Sequence, residues 1–248
     1  MRRATLLLAA LLAGCAATQP EYGDTPPKRR LSEIQPANEP GLFANVVDVY
    51  DPWEGYNRWM YDVNARVDRY VLTPVADTYT RFVPQFIRSG FRNFYLNYFE
   101  VSNLLNAMLQ GRPVLAARVT GRLLINTTLG LGGVLDPAKE LGLPRQREDF
   151  GQTLARWGVQ PGPFLVLPLM GPSTLRDGTG LGVDSLSLTA IDFLGAMDWA
   201  RDNLWVWVLW GVDYRSNIDF RYYESGSPFE YLLVRRLYLD LRELETAR

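Results

Sequence analysis

After its N-terminal segment, this chain contains no apolar run longer than LWVWVLWGV, the nine residues Leu204–Val212. A helix that crosses a bilayer needs about 20 apolar residues, so the body of the protein cannot cross by a single helix. Its apolar residues must be carried by shorter, amphipathic segments, and the spacing shows that these are helical. From DPWEGYNRWMYDVNARVDRYV onward, Trp53, Tyr56, Met60, Val63, Val67 and Tyr70 recur at intervals of 3, 4, 3, 4 and 3, which is one stripe on a helix of 3.6 residues per turn. Asp51 is placed to cap that helix, Pro52 suits its first position and Glu54 completes a capping box. Pro74 and Pro84 punctuate the segments VADTYTRFV and QFIRSGFRNFY, VSNLLNAMLQG closes on a glycine suited to a helix C-terminus, and Pro113 opens VLAARVTGRLLINTT. Ser227-Pro228-Phe229-Glu230 repeats the pattern of cap, proline, any residue and acid before YLLVRRLYLDLREL. Alternation of the strand type occurs only in PFLVLPLMG, where prolines interrupt it. The fold class is therefore all-α, a single domain of short amphipathic helices over residues 50–248.

Residues 1–14 read as a signal peptide, with Arg2 and Arg3 ahead of an apolar stretch from Thr5 to Ala13 and small residues before a cut. The only cysteine, Cys15, follows immediately. A secretory leader needs no cysteine there, and burial does not explain the position. Leu12-Ala13-Gly14-Cys15 resembles the bacterial lipobox, which predicts acylation of the Cys15 thiol and of the amine freed by cleavage. Several acyl chains at about 0.8 kcal/mol per buried methylene hold a polypeptide at a bilayer durably. Ala16 stands where an aspartate would signal retention at the inner membrane, so the expected location is the periplasmic side of the outer membrane. Residues 15–49, with PPKRR at 26–30 and no hydrophobic period, read as the acylated cysteine and a flexible tether. Without residues 1–14, which include Arg2 and Arg3, 24 Lys and Arg face 27 Asp and Glu. The resulting charge of −3 is not that of a nucleic-acid-binding surface. With Cys15 acylated no disulfide remains, and stability has to come from a packed interior.

The chain has no histidine. A Ser-His-Asp triad, a Cys-His pair and zinc sites built on His and Cys are excluded. The glycines of Gly130–Gly133 and of DGTGLG, Asp177–Gly182, fit neither a phosphate-binding loop nor a dinucleotide fingerprint. Carboxylate-only chemistry survives, since a glycosidase needs two acids about 5 to 9 Å apart. Glu100, Asp136, Asp177 and Asp184 are the candidates, and Asp177 with Asp184 is also a weak calcium pair that lacks EF-hand spacing. No motif pairs these acids, so the expectation is a protein without catalytic residues, metal or cofactor.

Three apolar segments stand in flexible surroundings. In LLINTTLGLGGVL, residues 123–135, Leu129, Leu131, Val134 and Leu135 are interleaved with Gly130, Gly132 and Gly133, each of which disfavours a helix by about 1 kcal/mol relative to alanine. This segment is the candidate lipid-contacting or gating loop. PGPFLVLPLMGP sets bulky apolar residues between prolines, and NLWVWVLW carries Trp205, Trp207 and Trp210, the candidate aromatics for a membrane interface, where an indole ring is dry and its N–H wet.

Five blocks carry a family resemblance. DPWEGYNRWMYDVN (51–64), NLLNAMLQG (103–111), INTTLGLGGVLD (125–136), DFGQTLARWGV (149–159) and GPFLVLPLMGPSTLRDGTG (162–180) resemble, in order and spacing, the signature blocks of the MlaA/VacJ lipoproteins. With the lipobox, the resemblance covers residues 51–215, and is looser over the C-terminal helix. It implies an outer-membrane lipoprotein that removes mislocalised phospholipid from the outer leaflet without nucleotide hydrolysis, and so maintains lipid asymmetry. It also implies a helical ring in the inner leaflet with a polar-lined passage, a trimeric porin as neighbour and a soluble periplasmic lipid carrier as acceptor. Two alternatives remain open at this point: a structural adaptor beside a porin and a carboxylate-based cell-wall glycosidase.

Overall fold

The computed structural model of the chain describes residues 49–192 and 195–247. The leader, Cys15 and nearly all of the tether lie outside the described residues. Helix α1, Glu54–Val67, runs through one π turn, Asp68–Leu72, into α2, Thr73–Phe82. Pro74 therefore does not break the helix: it falls in the first turn of α2, where its missing N–H leaves no bond unmade. The widened turn ahead of it is closed by Thr73 N donating to the Asp68 carbonyl, an i to i−5 bond. Pro84 does break the helix. Val83 before it is extended (φ −95°, ψ 117°), the conformation a following proline imposes, and α3 begins beyond it as Gln85–Leu109.

The α3 C-terminus closes as the sequence predicts. Gly111 has φ +66°, Gly111 N donates to Met108 O and Arg112 N to Ala107 O, the two bonds of a Schellman turn. Pro113 then opens α4, Pro113–Thr128, which folds back on α3 through Ala107, Leu115 and Val119. A loop leads to the short α5, Pro137–Glu140, whose N-terminus Asp136 caps, and to α6, Phe150–Arg156, capped by Asp149. The PFLVLPLMG segment forms the one sheet among the described residues, β1 (Phe164–Leu167) antiparallel to β2 (Gly171–Thr174) with Phe164 opposite Thr174. Thr174 caps α7, Leu175–Ile191. Helices α8 (Ala196–Asp202), α9 (Leu204–Ser216) and α10 (Glu230–Thr246) complete the chain. The architecture is helical throughout apart from this small hairpin.

The hairpin is attached to α1 by asparagine amides. Asn57 Nδ2 donates to Phe164 O (3.0 Å) while its Oδ1 accepts from Val166 N (2.8 Å). Two turns later, Asn64 Nδ2 donates to Leu167 O and its Oδ1 accepts from Leu169 N, both at 2.8 Å. Each amide presents the donor and acceptor of a neighbouring strand, so α1 satisfies an edge that would otherwise be exposed. Met60, Tyr61, Phe164, Val166, Tyr231 and Leu232 pack around this joint. The α1 stripe is consequently only half inside: Met60 is buried, whereas Trp53 and Tyr56 are exposed.

One predicted cap and both predicted capping acids serve another purpose. The position before α1 is held by Trp53, with no side-chain cap bond. Asp51 turns inward and accepts from Asn57 Nδ2 (2.7 Å), Arg235 Nη1 (2.9 Å) and the Tyr231 hydroxyl. Glu54 pairs with Arg58 at 2.6 Å instead of completing a capping box. Glu230 likewise turns inward and accepts from the Tyr61 hydroxyl (2.8 Å), from Ser225 N (3.2 Å) and from Tyr223 N. Charge-assisted bonds in a dry interior are stronger than a bond to an exposed first-turn amide, and both acids follow the stronger field.

Candidate functional site

The surface and the interior exchange their usual chemistry. Among the described residues the buried side chains include Asn57, Asn64, Asn97, Glu100, Asn103, Asn106, Arg122, Asn126, Asp177, Asp213, Glu230, Arg235 and Arg242. Outside stand Phe82, Phe86 (76% exposed), Leu124, Leu186, Leu204, Val208 and, on α10, Leu233, Leu237 (69%), Leu241 and Leu244. In a water-soluble monomer exposed apolar residues are scattered and buried charge is rare. No helix of the described residues is long and apolar enough to cross a membrane.

Buried ion pairs organise the interior. Arg122 on α4 donates from Nε to Glu100 Oε1 (3.0 Å) and from Nη2 to both Asp136 oxygens (3.2 Å), and Nη1 meets the Leu143 carbonyl. Asn103 Nδ2 donates to Glu100 Oε2 (2.7 Å), Asn126 Nδ2 to Asp136 Oδ1 (2.8 Å), and Arg145 stands 3.3 Å from Glu100. Burial opposes ionisation of Asp136, but Asn126 and Arg122 outweigh it and hold the carboxyl below its ordinary range. On the other side, Arg242 of α10 forms a fork to Asp149 (2.9 Å to each oxygen) and reaches Asp177 at 2.9 and 3.1 Å, with the Tyr238 hydroxyl donating to the same carboxylate. Against desolvation, Arg242 depresses both Asp149 and Asp177. A helix carrying Asp149 passes close to α7: a Cβ on Gly180 would come within 2.4 Å of Gly151 N, so glycine is required at that crossing.

The candidate loop, residues 129–135, lies on the α3–α4 lattice. Leu131 (71% exposed), Leu129, Val134 and Leu135 point outward, while Gly130 is buried. Leu131, Gly132 and Gly133 have φ of +54°, +73° and +96°. Gly132 N donates to Thr127 O (3.0 Å), Leu135 N to Gly130 O (2.9 Å), and Asn93 Nδ2 of α3 to Val134 O (3.1 Å). A Cβ on Gly133 would stand 2.6 Å from Asn97 Cβ. The glycines thus supply left-handed backbone and close approach, and they hold four apolar side chains outward over a polar support.

Of the three tryptophans, Trp205 (56%) and Trp207 are exposed, and Trp210 is half-buried against Phe99 and stacked on Tyr214. Trp199 meets Trp205 edge-on at 5.6 Å. Helix α9 buries only Val206, Val212 and Asp213. It is fastened by Tyr95 donating to Val206 O (2.9 Å) and Tyr79 donating to Asp213 Oδ1 (3.1 Å); burial, then Asp213, push the Tyr79 hydroxyl up to about 12.

The four candidate acids fall into three settings. Glu100 and Asp136 share Arg122, and Asp177 is held by Arg242. Asp184 accepts from Ser102 Oγ (2.8 Å), Asn106 Nδ2 (2.7 Å) and Phe150 N (2.9 Å), and burial raises its carboxyl above the ordinary range. Asp177 and Asp184 face different partners and form no calcium pair. Among the described residues, no cluster of three or more acids could hold a metal ion. The sequence reading missed the buried asparagines and the buried Arg122, Arg235 and Arg242. Their signal was an i, i+7 repeat of asparagine at 57 and 64, and arginines set between the leucines of the last helix.

A helical domain with an ion-paired interior under an apolar exterior belongs to the class of proteins built to face something other than water. Comparison supplies the family: the profile described as MlaA lipoprotein matches residues 49–245, and the chain belongs to that family. It is 36% identical over 199 residues to the intermembrane phospholipid transport system lipoprotein MlaA of Escherichia coli (strain K12), covering 77% of this chain and 76% of that one. It is 37% identical over 145 residues to an uncharacterized protein of Rickettsia conorii, where the match spans only 58% of the relative's length. A solved structure reported as the structural basis for maintenance of bacterial outer membrane lipid asymmetry superposes with a TM-score of 0.64 at 33% identity. That match covers 80% of this chain and all of the other.

Proposed function

We propose that this protein removes mislocalised phospholipid from the outer leaflet of the outer membrane and passes it to a soluble periplasmic carrier, without catalysing a covalent step. The observation that carries the reading is the inversion of chemistry: leucines and aromatics outside, asparagines and ion pairs inside. A phospholipid headgroup moving through hydrocarbon loses several kcal/mol for every polar group left unpaired. A body that moves it needs a hydrogen-bonding interior and an exterior that tolerates acyl chains. In this reading the domain lies as a ring in the inner leaflet, anchored through an acylated Cys15, with a trimeric porin beside it. Trp205, Trp207 and Trp210 mark the headgroup boundary, and Leu129, Leu131, Val134 and Leu135 touch acyl chains where lipid enters, the loop shifting as it passes. The non-enzymatic part is supported by Glu100, Asp136 and Asp177, whose carboxylates are each engaged by an arginine. A pure adaptor has no need of a polar interior.

The test is deletion of the gene with phospholipid in the outer leaflet as readout. Outer-leaflet phospholipid rises in the deletion strain and returns to normal with the wild-type chain, but not with Cys15→Ser, which also loses palmitate labelling. An unchanged outer leaflet on deletion would contradict the reading.

A further inference from the structure

A cleft of about 410 Å³ opens beside Asp184, lined by Leu105, Asn106, Met108, Leu109, Phe150 and Ser187. That volume is in the range of about 300–1,000 Å³ typical of small-molecule sites. Its wall is divided: Met108 and Leu109 are exposed at the apolar side, while Asp184, Asn106 and Ser187 form the polar side. Asp184 differs from Glu100, Asp136, Asp149 and Asp177 in one respect. Each of those has an arginine within 3.3 Å, whereas Asp184, among the described residues, takes only neutral donors: Ser102, Asn106 and the Phe150 amide. Two of those bonds fall on Oδ1 and one on Oδ2, so Oδ2 keeps accepting capacity. Asp184 thus carries its negative charge at the mouth of an apolar cleft with neutral donors alone around it.

We infer that the cleft reads the headgroup of the transported lipid and takes a primary ammonium, with Asp184 as the counter-ion and Leu105, Met108, Leu109 and Phe150 against the first acyl carbons. A primary ammonium donates hydrogen bonds and pairs with a carboxylate. A quaternary ammonium has no N–H and favours an aromatic cage, and Phe150 is the one aromatic residue lining this cleft. An anionic headgroup is repelled. The site therefore favours phosphatidylethanolamine over phosphatidylcholine and phosphatidylglycerol. This inference rests on the phospholipid reading above.

The experiment incubates the full acylated protein with vesicles of phosphatidylethanolamine, phosphatidylcholine and phosphatidylglycerol in equal amounts, and measures co-purifying lipid by mass spectrometry. Wild type enriches phosphatidylethanolamine by on the order of tenfold, the scale of one charge-assisted hydrogen bond. Asp184→Asn brings bound lipid close to the composition of the vesicles. Ser187→Lys, one turn along α7, places an ammonium in the cleft without removing any bond to Asp184, and abolishes the enrichment in the same way even if the asparagine variant misfolds. Lipid bound by the wild type without enrichment, or enrichment that survives Ser187→Lys, overturns the inference and leaves the transport reading intact. No lipid bound by the wild type overturns both.

Discussion

Arg122 and Arg242 use the same device to opposite ends. Each is a buried guanidinium gripping two carboxylates distant in the chain, Arg242 holding Glu245 of its own helix as well, yet Arg122 reaches acids 22 and 14 residues away, whereas Arg242 reaches acids 93 and 65 residues away. The first completes a local lattice of α3 and α4 and fixes the end of the glycine loop through Asp136. The second holds the C-terminal half of α10 onto α6 and α7, beyond the point where Tyr231 and Leu232 enter the apolar core. A local pair sets the shape of a loop, and a distant pair closes the chain.

That contrast can be broken by substitution. Arg242→Ala withdraws a guanidinium from Asp149 and Glu245 and leaves buried Asp177 with Arg176 alone at 3.1 Å, and costs about 3–5 kcal/mol. Helix α10 should then become the first site of limited proteolysis. Arg122→Ala costs less, about 2–3 kcal/mol, since Arg145 remains 3.3 Å from Glu100, and α10 stays protected. Chemical denaturation in detergent, with proteolysis read alongside, separates the two; equal costs, or α10 released by the Arg122 variant, would collapse the distinction.

The loop itself gives a finer version of the same comparison. Gly133→Ala drives a methyl into Asn97 and costs about 2 kcal/mol, a typical overpacking value. Gly132→Ala has open space around the new methyl and costs about 1 kcal/mol, from its positive φ alone. Thermal melts in detergent check the ranking. If both cost the same, the loop is not seated on α3.

Much of the helical layout was legible: the start of α4 at Pro113, the stop at Gly111, the last helix, and the alternation in PFLVLPLMG that became β1. What was not legible was which way the faces turn. A stripe at intervals of 3 and 4 shows that residues share a side, and is silent on what that side touches. Leu233, Leu237, Leu241 and Leu244 form such a stripe and lie outside, while Arg235 and Arg242 between them are buried. Asp51 carried the spelling of a cap and Glu230 that of a capping acid, but their carboxylates were claimed by Tyr231, Arg235 and Tyr61 from 169 to 184 residues away. Those partners are tertiary and leave no local trace. Pro74 read as a breaker because a π turn, which absorbs it, has no signature of its own in the sequence.

The inverted exterior is the central claim, and spin labels placed one at a time on Leu186, Leu204 and Leu237 in the bilayer-bound protein test it directly. Collisions with oxygen, which concentrates in hydrocarbon, should be frequent at all three and collisions with a water-soluble nickel chelate rare, while a label on exposed Arg201 shows the reverse. Nickel accessibility at the three leucines equal to that at Arg201 would contradict the account.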